Sequence, residues 1–442
     1  MLKRHIYQKL VRWKETNTQQ GLLLAGARQV GKTTIIREFG KSNYQRFAEI
    51  NFLENKAALD SVAAARDAKD LLTRMSALSQ TEFIPDRTLV FFDEVQACQD
   101  VLTWVKFLKE TAPHIDFIFS GSLLGIDLFN VRSVPVGFLQ TLQMYPLTFL
   151  EFCEANGAVS EALATVRECF SQLKPVPDYL HEYLTDLYYK YLLVGGMPDA
   201  VQSFVDIGDV TRVRNVQEGI VQTYGMDITK YVESPVERRH IKTIYEAIPN
   251  QLNKENKRFK FTKLGENTRF SHLATAFDWL ESAGIALSAM RVQDPQYPLG
   301  FAADTGSFKL YMNDVGLLTS CLMRDFDIEI LNHRSSMNFG SIFENAVEEE
   351  LVAQGFETYY YNTKGTGEVD FLVQNRMGEV VLIEVKSGKD YKRHRAFSKL
   401  LSAENYRFAK ALVFHDGNVK QEGKVTYLPV YMAGLLSPDA AF

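Results

Sequence analysis

Three sets of residues in this sequence have the types and spacing that chemistry needs. The first is Gly26-Ala27-Arg28-Gln29-Val30-Gly31-Lys32-Thr33, followed by Thr34. The pattern G-x-x-x-x-G-K-T suits a loop that wraps a phosphate with backbone N–H groups. Lys32 would neutralise β/γ oxygens and Thr33 would hold Mg²⁺. The second set is Asp93-Glu94, which closes the apolar run Thr88–Phe92. Asp93 would bind the Mg²⁺ shell, and Glu94 would orient or deprotonate an attacking water. Ser120 and Ser122, at the tip of Asp116-Phe-Ile-Phe-Ser-Gly-Ser122, could contact a γ-phosphate or that water, or could cap an ordinary strand. The third set is Asp370, Glu384 and Lys386.

The third set rests on a register argument. Arg376-Met377-Gly378 reads as a three-residue hairpin loop between strands at Glu368–Gln374 and Glu379–Lys386, with glycine where a left-handed residue is wanted. With Asn375 opposite Glu379, Asp370 falls opposite Glu384 and Glu368 opposite Lys386, all four on one face. Directly opposed Cβ atoms lie ~5 Å apart, so the two carboxylates need a cation, a proton or a lysine between them. The other face, with Val369, Phe371, Val373, Val381, Ile383 and Val385, is apolar and must be core. A structural salt-bridge cluster and a metal site are both open for such a set.

The elements that position these residues follow from periodicity. Gly21–Gly26 reads as a buried strand and Thr34–Phe39 as the start of a helix, which gives the loop its strand–loop–helix setting. Tyr179 to Leu193 alternates aromatic and acidic residues at helical spacing, as the core and rim of a helix that Gly195-Gly196 and Pro198 end. Helices at Ile241–Pro249, from Phe261 and at Ser271–Gly284 precede strands at Ile285–Val292 and Phe308–Tyr311, a winged-helix order. Lys254, Lys257, Arg258, Lys260, Lys263 and Arg269 outnumber Glu255 and Glu266 on the way into the third helix, which suits phosphate contacts. Asp278 and Glu281 on that helix suit protein packing instead. Ser341–Gln354 reads as an amphipathic helix with Ile342, Phe343, Ala346, Val347 and Leu351 on its apolar face, stopped by Gly355. Strands follow at Phe356–Tyr361 and in the hairpin, and then the basic run Lys386–Lys399, suited to a phosphodiester backbone.

Composition bounds the rest. At 442 residues, with 46% hydrophobic and 23% charged residues, the chain is globular and long enough for two or three domains. No apolar run reaches the ~20 residues of a membrane span, and the N-terminus lacks the apolar region of a signal peptide. Cys98, Cys153, Cys169 and Cys321 form no metal-type or disulfide-type spacing, so a cytoplasmic setting is expected. A net charge of −5 makes any nucleic-acid surface local. The lack of an N-K-x-D guanine-reading motif favours ATP over GTP.

Together, the phosphate-loop segment, Phe91-Phe-Asp-Glu-Val-Gln96, Phe119-Ser-Gly-Ser122 and Met144-Tyr-Pro-Leu-Thr-Phe-Leu-Glu-Phe152 resemble the archaeal-type AAA+ ATPases. The match is to their bacterial branch, whose C-terminal part is a domain of unknown function. Gly195-Gly-Met-Pro198, Phe308–Leu317 and Gly367-Glu-Val-Asp370 continue the resemblance along most of the chain. It implies a P-loop AAA+ core at 1–150, a helical lid at 151–236, a winged-helix-like domain at 237–330 and a PD-(D/E)xK, restriction-endonuclease-like α/β domain at 331–442. In the nuclease pattern Asp370 and Glu384 would bind Mg²⁺ or Mn²⁺, Glu344 would complete the metal shell and Lys386 would help generate hydroxide. Many relatives carry Gly-Arg before Tyr-Pro-Leu, where this chain has Val136-Gly137-Phe138. Arg132, Arg238 and Arg239 remain candidates for an arginine finger, in cis or from a second copy.

The expected function is ATP hydrolysis coupled to DNA binding or metal-dependent cleavage. A nucleotide-dependent regulator that binds a partner without cutting is the alternative. A homo-oligomer is compatible with both, and no membrane partner is expected.

Overall fold

The computed structural model describes residues 2–16, 19–121, 137–232, 234–254, 257–259, 273–323, 327–331, 339–388 and 390–442. Ser122, Arg132, the helix expected from Phe261 and the side chains of Lys260, Lys263, Arg269 and Ser271 lie outside them. Contacts divide the chain into two compact units, Arg4–Tyr145 with Ser282–Gly284, and Pro146–Glu281 with Ile285–Phe442.

The first unit is built on five strands: β1 (Gly21–Ala25), β2 (Arg46–Asn51), β3 (Thr88–Asp93), β4 (Asp116–Ser120) and β5 (Leu139–Gln143). They run parallel in the order β2-β3-β4-β1-β5. β1 and β3 are buried along their whole length, as near-continuous apolar runs in a parallel sheet should be. Phe92 stacks between Phe52 and Phe119 in the core. The carboxyl ends of β1, β3 and β4 thereby gather the phosphate loop, Asp93 and Ser120 at one edge.

The second unit carries an eight-stranded mixed sheet. Its strands are β6 (Ala286–Val292), β7 (Ala303–Met312), β8 (Tyr359–Thr363), β9 (Gly367–Gln374), β10 (Val380–Val385), β11 (Lys410–His415), β12 (Lys420–Glu422) and β13 (Val425–Pro429). Their order is β12-β13-β11-β10-β9-β8-β6-β7. The strand pair that follows the helices Pro235–Leu252 and Ala274–Ser282 is antiparallel. Its inner strand β6 pairs in parallel with β8, so one sheet runs through the expected boundary at 330/331.

The β9–β10 hairpin has the register its loop requires: Val380 faces Gln374, Val381 faces Val373, Leu382 faces Leu372 and Ile383 faces Phe371. Gly378 has φ +85° at the turn. The ladder stops there, however, and Glu368 does not sit opposite Lys386. Lys386 instead donates its backbone N–H to Phe414 on β11, and Glu368 pairs with Asn362 on β8.

Of two helices read from their sequence patterns, one keeps the expected arrangement and one does not. Asp178–Val194 buries Tyr188, Tyr189 and Tyr191 and exposes Tyr179 and Tyr183, a core-and-rim arrangement. Gly340–Gln354, expected to be amphipathic, is instead buried along every residue from Ser341 to Leu351, with Glu344, Glu348, Glu349 and Glu350 included. It is packed against β10, β6, β7 and neighbouring helices. The three consecutive glutamates are therefore inside the unit. No described helix is long and apolar enough to cross a membrane.

Candidate nucleotide site and carboxylate cluster

The phosphate loop is shaped by two glycines for different reasons. Gly31 has φ +95°, a left-handed conformation at the start of the helix Lys32–Asn43 that only glycine adopts without strain. A Cβ at Gly26 would lie 2.2 Å from the Met144 carbonyl oxygen, so backbone crowding from below adds to the need for an open face above. Gln29 also has positive φ. Ala27, Arg28, Gln29 and Val30 form the crest of the loop, and Thr33 and Thr34 open the helix. Arg4, which the sequence pattern does not single out, donates to the Val30 carbonyl at 2.9 Å and to the Tyr145 carbonyl at 2.6 Å, tying the loop from beneath.

Lys32 is buried and donates to two loop carbonyls, Gly26 at 2.9 Å and Ala27 at 2.7 Å. Burial lowers its pKa to about 8, against the opposing pull of Glu94 and Asp93. Thr33 Oγ1 donates to Asp93 Oδ2 at 3.0 Å, and Ser120 Oγ donates to Asp93 Oδ1 at 2.5 Å. Burial holds the Asp93 carboxyl above its ordinary value. Glu94 has φ +54°, and its carboxylate accepts from the Gln96 side-chain amide. The hydroxyl of Thr33 and the carboxylate of Asp93 converge on one point and fit an Mg²⁺ site of the kind that takes few protein ligands. Ser120 reaches Asp93 rather than standing apart as a free phosphate sensor.

In the second unit the predicted residues Asp370, Glu384, Lys386 and Glu344 do come together, with an unforeseen residue among them. Lys309 on β7 is fully buried. Its Nζ lies 2.9 Å from Glu344 Oε1, 2.8 Å from Glu368 Oε1 and 3.8 Å from Asp370 Oδ1. Tyr311 donates its hydroxyl to the same Glu344 oxygen at 2.7 Å, and Lys257 binds the other. Asp370 Oδ2 accepts from the backbone N–H of Val385 at 2.9 Å, and Lys386 lies 2.7 Å from Glu384 Oε1.

The electrostatics follow from that geometry. Burial alone would lower the Lys309 pKa, but Glu344, Glu368 and Asp370 hold it well above the ordinary lysine value. Glu344, which burial alone would raise, is brought down to about 2 by Lys257 and Lys309. Burial, with the charge of Asp370, pushes Glu384 up to about 8.

This arrangement does not fit the expected divalent ion. Among the described residues no group of three or more His, Cys, Asp or Glu side chains is placed to hold a metal, and lysine ammonium groups face Glu344, Glu368 and Glu384. The basic lead-in is changed too, since Lys257 turns inward to Glu344 and Lys254 to Gln251. Of the later basic run, Lys392 pairs with Glu422 and Lys399 donates to the Gly365 carbonyl. Arg238 binds the Val232 carbonyl, and Arg239 is exposed.

The glycine-rich and acidic motifs of the second unit are structural. Asp314, fully buried, accepts from Gly196 N at 2.6 Å and Leu317 N at 2.9 Å. Leu147 N donates to the Gly196 carbonyl, and Glu350 accepts from Phe149 N at 2.6 Å. A Cβ at Gly195 or Gly196 would collide with Asp314 or the Leu147 backbone.

Residues 18–153, which hold the phosphate loop and Asp93-Glu94, match the family model described as AAA domain. The protein is an ATPase whose residues 18–153 are similar to the AAA domain. Further along the ATPase, residues 185–327 match a domain of unknown function, DUF8612, and residues 339–432 match another, DUF4143. Lys257 and Lys309 belong to the first of these segments and the four carboxylates to the second. None of the curated protein sequences compared with the ATPase matches it. Among solved structures it is similar to the Walker-type ATPase PABY2304 of Pyrococcus abyssi, at 15% identity and TM-score 0.44 over 73% of this chain and 96% of that one. It is also similar to the Aeropyrum pernix ORC1 protein in complex with DNA, at 13% identity and TM-score 0.28 over 74% and 94% of the two chains. Likeness of that degree says nothing about what this ATPase binds.

Proposed function

We propose that the ATPase is a nucleotide-dependent switch of the archaeal-type AAA+ kind, in which hydrolysis of ATP at Gly26–Thr34 governs engagement of DNA by the second unit without cleavage. The observation that carries the switch is Lys32. Its ammonium is held by the Gly26 and Ala27 carbonyls, so capture of phosphate requires it to exchange both for phosphate oxygens. A ligand that forces such an exchange discriminates between two arrangements of the loop, which is the requirement for a switch.

In this reading the backbone from Gly26 to Thr33 cradles the phosphates, and Thr33 and Asp93 hold Mg²⁺. Bound there, Mg²⁺ would neutralise phosphate charge. Ser120 fixes the Asp93 carboxylate. Glu94 aligns the attacking water once its carboxylate leaves Gln96. The helices of 151–236 act as a lid, residues 237–330 as a winged-helix-like element and 331–442 as a PD-(D/E)xK-like fold. The last assignment is supported by the β9–β10 hairpin carrying Asp370 and Glu384, with Lys386 just beyond it. Cleavage is left out of the proposal because lysines already meet the carboxylates that metal would need.

The test measures phosphate release and binding of labelled single- and double-stranded DNA, with and without ATP and Mg²⁺. Wild type is expected to hydrolyse ATP and to bind DNA with nucleotide-dependent affinity, and Lys32→Ala to lose both the hydrolysis and the dependence. DNA affinity indifferent to nucleotide would sink the coupling. Cleavage in Mg²⁺ or Mn²⁺ that Asp370→Ala or Lys386→Ala removes would replace the switch with a nuclease.

A further inference from the structure

The carboxylate cluster of the second unit can be read oxygen by oxygen. Both oxygens of Glu344 are met, one by Lys309 and Tyr311 and the other by Lys257. Glu368 gives one oxygen to Lys309 and the other to the Asn362 amide at 2.7 Å. Asp370 gives one to the Val385 backbone and turns the other toward Lys309. Glu384 gives one to Lys386, and its second oxygen is buried without a hydrogen-bond partner.

A divalent ion in such a place supplies two positive charges and draws several oxygens to about 2.0–2.6 Å. Lys257 and Lys309 bring the same two charges to Glu344, and the oxygens stand at hydrogen-bond distance from Lys309, 2.8 and 2.9 Å, too far apart from one centre for Mg²⁺ coordination. Lys309 also lies over the Tyr360 ring, 5.1 Å from its centroid, so the ammonium is enclosed by acceptors and an aromatic face. Its origin matters as well. Lys309 comes from β7, outside the hairpin, so the charge arrives from the far edge of the sheet.

We infer that the Lys309 ammonium, with Lys257 beside it, stands in place of a divalent cation in the Glu344–Glu368–Asp370 cluster, and that the second unit's site is built to operate without metal. The inference deepens the non-cleaving part of the proposed function. It gives a physical reason why that unit would bind rather than cut: carboxylates already neutralised by lysines would not hold an ion that activates water or polarises a phosphodiester.

The experiment is a Mn²⁺ titration of the full, nucleotide-free chain by calorimetry and by electron paramagnetic resonance. Wild type, Asp370→Asn, Lys309→Met and the double variant are compared. Wild type and Asp370→Asn are expected to take up Mn²⁺ alike. Lys309→Met, which keeps the length of the side chain and removes its charge, is expected to bind Mn²⁺ at least tenfold more tightly than wild type. Asp370→Asn in the same chain should abolish the gain. A wild-type Mn²⁺ site weakened tenfold or more by Asp370→Asn overturns the inference, as does a folded Lys309→Met protein with no gain. Should Lys309→Met fail to fold, the comparison of wild type with Asp370→Asn decides alone. Nucleotide is left out, so a failure here leaves the ATP-dependent DNA reading standing, and a failure of that reading leaves this result interpretable.

Discussion

Lys32 and Lys309, both buried, have opposite surroundings in this ATPase. Lys32 is held by neutral carbonyls and has its pKa lowered by burial to about 8. Lys309 is ringed by carboxylates that hold its pKa well above the ordinary value. A buried cation whose hydrogen bonds go to neutral carbonyls can still take up negative charge, and a nucleotide triphosphate supplies that. A buried cation already neutralised has no such need and serves the fold. The same side chain thus marks a ligand site in one unit and a finished structural junction in the other, and the neighbours rather than the residue type decide which.

That contrast can be broken in four ways, the largest effect first. Lys309→Met should destabilise the second unit by about 3–5 kcal/mol, because it leaves buried carboxylates without their partner; denaturant unfolding measures this, and a loss below about 1 kcal/mol would show the cluster to be loosely coupled. Lys32→Ala should leave the denaturation midpoint nearly unchanged and lower ATP turnover about 10²–10³-fold, the cost of removing one preorganised charge from a transition state. Phosphate release gives the answer, and equal turnover would remove Lys32 from the nucleotide site.

The third concerns pH. Burial raises the Glu348 carboxyl to about 8 and that of Glu350 to about 7. Their contribution to stability is therefore fully present below the ordinary carboxylate value and is lost as pH rises through about 7–8. Glu344 works in the opposite sense, but its loss comes only as pH falls toward about 2. Thermal midpoints should thus drop between about pH 5 and 8, with Glu348→Gln removing on the order of 2 kcal/mol of that fall. An unchanged slope would mean that the helix Gly340–Gln354 is hydrated. The smallest effect is expected at Lys106, whose exposed pair with Glu110 spans 3.9 Å. Lys106→Ala should cost under about 0.5 kcal/mol, which gives the baseline for an unburied lysine.

How much of this was legible depended on sequence separation. The phosphate loop, β3 and the β9–β10 hairpin are contiguous, so local spacing carries their geometry, down to the hairpin register as far as Ile383 opposite Phe371. Arg4 was not legible because its partner Tyr145 is 141 positions away. Lys309 was missed for the same reason, standing 35 positions from Glu344 on a strand that reads as part of a wing. A signal was present all the same: Phe308-Lys309-Leu310-Tyr311-Met312 places one lysine in an otherwise apolar strand, and such a lysine needs a buried acid. Glu348-Glu349-Glu350 misled in the other direction. Consecutive acids read as a solvated face, and only the packing of neighbours around the whole helix puts them inside.

The pairing of β6 with β8 has a consequence for modularity. Residues 185–327 and 339–432 are recognised as separate families, yet one ladder of hydrogen bonds joins them and one set of charges closes between them. Severed near residue 330, the later piece would keep its acids without Lys309 and would bare the edge of β8 to any passing strand.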